Sequence, residues 1–269
     1  FREALDYYQQ ALKISEQLRS KTSMSQDHGN IAHSLLGLGD VDGALAHVDQ
    51  AIQLATQAGL QQDQAYWQRV KGDALIQKGE YGAGLRSYRA SLATYESLGA
   101  QAEYVEALHD TGELHLLLGD SESAEGYFKH ALGLAQSVGL DRGITLNLIS
   151  LGDLEFRRSN PDAALSLYEQ ARRRSATSGE QHVLALSLLR LARVHRSQQL
   201  PAPAAAETNQ ALGIAREFGA RALEAEALYS QAELARMQKR LDQALERYRA
   251  AEEGGARIGD PDLLWQIHF

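Results

Sequence analysis

Glycine recurs at Gly59, Gly99, Gly139, Gly179, Gly219 and Gly259, forty residues apart each time and without slippage. A fixed period of this length is the mark of a solenoid, in which one supersecondary unit stacks on copies of itself. Glycine is favoured where a chain turns into the left-handed region just beyond a helix. Six glycines in register therefore predict six equivalent helix stops.

Other columns share the period. Ala44, Gly84, Ala124, Ala164, Ala204 and Ala244 occupy one register, and Ala51, Ser91, Ala131, Ala171, Ala211 and Ala251 follow seven residues later. Between them stand Val48, Tyr88, Phe128, Tyr168, Thr208 and Tyr248. Small, large, small at i, i+4 and i+7 is one helical face whose neighbour approaches closely around a plug. The recurrence of Tyr8, Tyr88, Tyr168 and Tyr248 every eighty residues fits that core role rather than an aromatic cage.

A second helix precedes the first in each unit. Ala32, Gly72, Gly112, Gly152, Ala192 and Ala232 form its small column. The turn between the two reads Gly39-Asp40, Gly79-Glu80, Gly119-Asp120 and Ser159-Asn160-Pro161, each a helix stop followed by an expected N-cap. Gln199-Leu200-Pro201 keeps a proline start, whereas Lys239-Arg240 lacks an obvious cap.

These columns resemble the tetratricopeptide repeat. Ala32, Ala44 and Ala51 match the family's small positions, Val48 its aromatic position, and each unit exceeds the family's usual period by six residues. The resemblance covers the whole chain and implies an all-α fold, a right-handed superhelical solenoid of antiparallel helix pairs. We expect a single array over 1–269. Residues 1–20 form the second helix of a truncated repeat, and full repeats run over 22–60, 61–100, 101–140, 141–180, 181–220 and 221–259. Residues 260–269 begin a further first helix. Phe1 falls inside a repeat, so the chain is expected to be a piece of a longer protein.

Composition narrows the function. The 269 residues contain no cysteine, which removes disulfides, thiolate zinc sites and cysteine nucleophiles. A net charge of −8 argues against nucleic acid, and no apolar run is long enough to cross a bilayer. No phosphate loop, nucleophile elbow or dinucleotide fingerprint is present, so neither a catalytic residue nor a cofactor is expected. His109 and Glu113 share a helix face with His115 nearby, but no third metal ligand can be placed. The run Arg172-Arg173-Arg174 is expected on a solvated outer helix. Arginine outnumbers lysine and alanine is abundant, which suggests a bacterial source, and the lack of cysteine fits a reducing, cytoplasmic compartment.

The family resemblance implies that first helices line a concave wall that holds a protein or peptide. Its inward positions fall on Tyr66, Arg69 and Asp73 in the second repeat and His109 and Glu113 in the third. The fourth supplies Leu146, Ile149, Asp153, Phe156 and Arg157, the fifth Leu186, Leu189, Arg193 and Arg196, and the sixth Tyr229 and Glu233. An apolar centre rimmed by arginine suits an amphipathic or extended peptide with an acidic group. The alternative within the wall is that its leucines pack between helices and its arginines pair with neighbouring acids. The lysine–asparagine pattern with which chaperone-binding members grip a terminal carboxylate is absent.

The expected function is a non-catalytic interaction scaffold or regulatory module of a larger bacterial signalling protein. The segment from Asp260 to Phe269 resembles the late repeats of proteins in which such arrays precede a CHAT domain, a caspase-like protease. The alternative is the small-molecule sensor arm of a transcriptional regulator or signalling ATPase. Open array ends, one bearing Trp265, are expected to favour end-to-end self-association.

Overall fold

The computed structural model describes residues 1–258, and among them the chain is helices joined by tight turns. It divides into two compact units, residues 1–138 and residues 139 onward. The first holds α1 (Arg2–Gln17), α2 (Lys21–Leu38), α3 (Val41–Ala58), α4 (Gln61–Gln77), α5 (Tyr81–Leu98), α6 (Gln101–Leu117) and α7 (Ser121–Val138). The second holds α8 (Asp141–Arg157), α9 (Pro161–Ser178), α10 (Gln181–Ser197), α11 (Pro201–Glu217), α12 (Arg221–Met237) and α13 (Leu241–Ile258). Even-numbered helices are the first of each pair, and odd-numbered helices from α3 onward are the second. Gly259 and the expected helix at Asp260–Phe269, with Trp265, lie outside the described residues.

The helix stops follow the glycine period. Gly59, Gly99, Gly139, Gly179 and Gly219 all take positive φ, between 64° and 78°. A second set of stops closes the first helices. At Gly39 (φ 81°) its N–H donates to Leu36 O, and the Asp40 N–H reaches back to Leu35 O, so two orphan carbonyls are satisfied. The same pair of bonds recurs after α4, α6, α8, α10 and α12. In the second unit, however, glycine is gone from this column. Ser159, Gln199 and Lys239 adopt φ of 62°, 60° and 60° in its place.

The caps divide. Asp40 accepts from the Gly43 N–H at 3.0 Å and Asp120 from the Ser123 N–H at 3.1 Å. Glu80 and Asn160 make no such bond; the Asn160 amide instead donates to Glu155 Oε2 at 2.9 Å. Pro161 and Pro201 open α9 and α11 at the position where a missing N–H costs nothing.

Helix pairing depends on size complementarity. The plugs Val48, Phe128, Tyr168 and Thr208 are 0% exposed, as are the alanines at 44, 51, 124, 131, 164, 171, 204 and 211. Opposite the rings of Tyr88, Phe128 and Tyr168 the first helix carries Gly72, Gly112 and Gly152. A Cβ at those glycines would lie 2.4–2.5 Å from a ring carbon. Where the plug shrinks to Val48 or Thr208, the column holds the fully buried Ala32 or Ala192. The exception is Ala232 with Tyr248, and this tyrosine stays only half-buried.

Two outcomes follow. In the Phe128 background, Gly112→Ala overpacks a filled core at about 1–3 kcal/mol and lowers the melting temperature. Combined with Phe128→Val the same substitution raises it, because the methyl then has room and alanine favours helix by about 1 kcal/mol over glycine. Thermal melts of the four proteins check the change of sign. Separately, left-handed geometry costs an L-residue roughly 1–2 kcal/mol, partly offset by the chain entropy of glycine. Ser159→Gly, Gln199→Gly and Lys239→Gly together therefore raise the melting temperature by about 3–6 °C, and a fall would contradict the strain argument.

Candidate functional site

The first-helix wall differs in kind between the two units. In the first, Tyr66, Arg69 and Asp73 stand on one face of α4, at i, i+3 and i+7. Arg69 Nη1 donates to Asp110 Oδ2 at 2.6 Å and Nη2 lies 3.3 Å from Glu106 Oε2, both on α6. Its guanidinium sits 5.4 Å from the centre of the Tyr66 ring, and the Tyr66 hydroxyl meets His33 Nε2 at 3.0 Å. Burial, and then the charge of Arg69, hold the His33 pKa below its ordinary value. Arg69 is thus engaged inside the wall, and the interlocking alternative describes it.

Asp73 accepts a short hydrogen bond from the Tyr88 hydroxyl of α5. Burial, with the nearby charge of Asp110, pushes its pKa up to about 6, although Tyr88 and Arg69 pull the other way. His109 packs 5.5 Å from the ring of Phe128, and Glu113 is exposed on the same helix. His115 is turned away from them, bonded through Nδ1 to Asp120 Oδ2 at 3.1 Å and stacked on Tyr127. Among the described residues no group of three or more histidines and carboxylates could hold a metal.

In the second unit Asp153 is a hub. It accepts from the Tyr168 hydroxyl at 2.6 Å, from Arg190 Nε at 3.3 Å and, by a shorter contact, from Arg193 Nη2. Arg193 also donates to the Tyr168 oxygen at 3.0 Å and stacks 4.6 Å above the Phe156 ring. Arg190 reaches across to Glu226 on α12. Burial would raise the Asp153 pKa, but the two guanidiniums outweigh it and hold the carboxyl below its usual value. On α12, Glu233 takes the Tyr248 hydroxyl and a two-point contact from Arg236 at 3.1 and 2.8 Å.

Asp73 and Asp153 occupy one register and meet the same tyrosine, yet titrate in opposite directions. The surrounding charges decide it. Asp73 has Asp110 as well as Arg69 nearby, so burial prevails, whereas two guanidiniums, Arg190 and Arg193, meet Asp153.

The remaining wall residues separate by burial. Ile149 and Leu189, expected at the surface, are each 3% exposed and belong to the core, because the repeat-to-repeat contact of first helices covers them. Leu146, Phe156, Leu186 and Tyr229 remain half-buried, and Arg157 is exposed. Arg196 meets no carboxylate; its Nη1 donates to Ser230 O at 3.3 Å and Oγ at 3.2 Å. Arg190 and Asp110 were not among the expected wall residues. Their shared column, Val70, Asp110, Ser150, Arg190 and Ser230, is otherwise small or apolar, and its two charged members were the available signal. On the outer helix α9, Arg172 and Arg174 pair with Glu169 and Asp141, and Arg173 lies 3.7 Å from Glu169.

Helix pairs repeated every forty residues and closed by left-handed stops define a solenoid class. Tetratricopeptide repeat models match residues 30–97 and 69–138, and another matches 141–217. The chain belongs to the tetratricopeptide repeat family. No curated protein matches its sequence. Among solved structures it resembles a Rap protein complexed with Competence and Sporulation Factor (17% identity, 95% of this chain and 70% of that one, TM-score 0.72). It also resembles NprR in complex with its cognate peptide NprX (13%, 96% and 77%, TM-score 0.67). A third likeness is a signal-transduction ATPase with a tetratricopeptide repeat sensor from Pyrococcus horikoshii (13%, 97% and 42%, TM-score 0.72). At these identities the likeness is one of fold. No helix among the described residues is long and apolar enough to cross a membrane.

The raised pKa of Asp73 has a defined sign. The folded state binds its proton more tightly than the unfolded state, whose carboxyl titrates near its ordinary value of 3.8. Stability tied to this proton is present below that value and is lost as pH rises through about 6. Asp73→Asn keeps an oxygen for Tyr88 and removes the buried charge. The variant melts a few degrees above the parent at about pH 7.5, and the gap closes by about pH 4. A gap independent of pH contradicts this account.

Proposed function

We propose that this chain is a non-catalytic interaction module that holds a peptide or a segment of another protein against its first-helix wall. The observation that carries the reading is the state of Leu146, Phe156, Leu186 and Tyr229. These large apolar side chains lie on consecutive first helices and are left half-buried, while Ile149 and Leu189 are packed and Asp153, Arg193 and Glu233 are paired. The solved Rap and NprR structures, one with a factor and one with its cognate peptide, support this reading by analogy of fold. In this proposal the array belongs to a larger bacterial cytoplasmic protein, with a CHAT protease as the favoured companion domain. A second reading, a sensor arm for a small molecule, draws on the likeness to the repeat sensor of the Pyrococcus horikoshii ATPase.

Peptides selected on the protein from a random displayed library test the wall directly. The double variant Leu186→Ser/Tyr229→Ser, with helicity unchanged by circular dichroism, is expected to bind them at least tenfold more weakly. Unchanged affinity, or a library that yields no binder, overturns the reading. Arg193→Glu is unsuited to this purpose, because it would set a second carboxylate against Asp153 and Tyr168 and so test folding.

A further inference from the structure

The cations and anions of the second unit's wall do not balance. Arg190, Arg193, Arg196 and Arg236 face Asp153, Glu226 and Glu233. Each carboxylate is already engaged. Asp153 takes Arg190, Arg193 and the Tyr168 hydroxyl, Glu226 takes Arg190, and Glu233 takes Arg236 and the Tyr248 hydroxyl. Apart from the exposed Arg157, one guanidinium is left over, in a chain whose net charge is −8.

Geometry identifies the surplus as Arg196. It is mostly withdrawn from solvent, and its recorded partners are the two long contacts to Ser230. Burial, with the nearby charge of Arg193, lowers its pKa, although the neighbouring charges of Glu233 and Glu226 pull the other way. One turn earlier on the same face of α10, the Nε of Arg193 is buried with no hydrogen-bond partner. A guanidinium taken from water without an anion is costly, and an unfilled N–H beside it adds to the cost. Packing holds both guanidiniums in place, which lowers the ordering cost of gripping a carboxylate. Arg193 is held on the Phe156 ring, and Arg196 by Ser230 near Tyr229.

We infer that Arg193 and Arg196 form an anion subsite that takes the side-chain carboxylate of an aspartate or glutamate within an otherwise apolar peptide segment. The inference rests on the first-helix wall being the binding surface. An internal acidic side chain is favoured over a chain terminus because the flanking groups, Phe156 on one side and Tyr229 on the other, offer apolar contact to residues both before and after it. Exposed Arg157 on α8 adds a further positive charge to the same wall.

The probes are glutamate capped at both ends (acetyl and methylamide) and its glutamine analogue, titrated into the intact protein. The Nε–Hε signals of Arg193 and Arg196 are followed by NMR. Capped glutamate is expected to shift both signals saturably and capped glutamine to leave them in place. In Arg196→Gln the Arg193 shift is lost, while Arg157→Gln retains it. Equal response to the two probes, or none, overturns the subsite, and peptides selected on the wall would still support the surface as a whole. Conversely, a specific response to capped glutamate with no selected peptide leaves the subsite standing and removes the peptide reading. Thermal melts supply an independent check. Arg196→Gln melts at or above the parent, because no ion pair is broken, whereas Arg193→Gln melts lower, having stripped Asp153. Equal losses in the two variants assign Arg196 to structure and overturn the inference.

Discussion

The distance between the two helices of a repeat is set by one contact, the plug of the second helix pressed on the small residue of the first. With glycine at that point, a phenyl or phenol ring lies directly on the helix backbone, as Tyr88 does on Gly72 and Tyr168 on Gly152. Such a ring contributes roughly 1.5–3 kcal/mol of apolar burial. With alanine, valine or threonine takes the place of the ring at Val48 and Thr208, and Tyr248, which keeps its ring against Ala232, stays half-buried. Apart from that pair, a larger plug meets a smaller partner, as close-packed interiors require.

The same contact joins the core to the wall. A tyrosine plug passes through the pair and delivers its hydroxyl on the far side, where Asp73, Asp153 and Glu233 each receive one. A phenylalanine plug, as at Phe128, fills the space without offering such a bond. Core composition therefore determines which wall acids are fixed from behind. The charges packed around each acid determine how it titrates. Burial, with Asp110 nearby, raises the pKa of Asp73, whereas Arg190 and Arg193 depress that of Asp153.

Much of the fold was legible because it rests on steric requirements that each residue states alone. A left-handed stop calls for glycine and a tight crossing for a small residue, and both recur at forty residues whatever surrounds them. Ser159, Gln199 and Lys239 show the limit. They take the same backbone geometry without the residue that announces it, because the two reciprocal hydrogen bonds of the stop persist when glycine is replaced. The wall was legible by position and not by state. Register places Ile149 and Leu189 on the first-helix face, but their burial depends on how deeply the next helix sits. Pairing is harder still. Arg190 bridges Asp153 and Glu226 across three helices, and its reach is a property of rotamer and helix offset that no column reveals.

A wall made of salt-bridged columns has few ways to acquire specificity. Exposed ion pairs contribute little, and fully engaged ones offer no donor to a ligand. What discriminates is an imbalance held in place by packing, since a desolvated group left without its partner rejects the wrong ligand more strongly than a good contact rewards the right one. In the first unit Arg69 is saturated by Asp110 and Glu106, and the surplus there is acidic. In the second, three neighbouring arginines of α10 meet two of the wall's carboxylates, and the surplus is a guanidinium. A repeat architecture thus places opposite charge surpluses on walls built from one template.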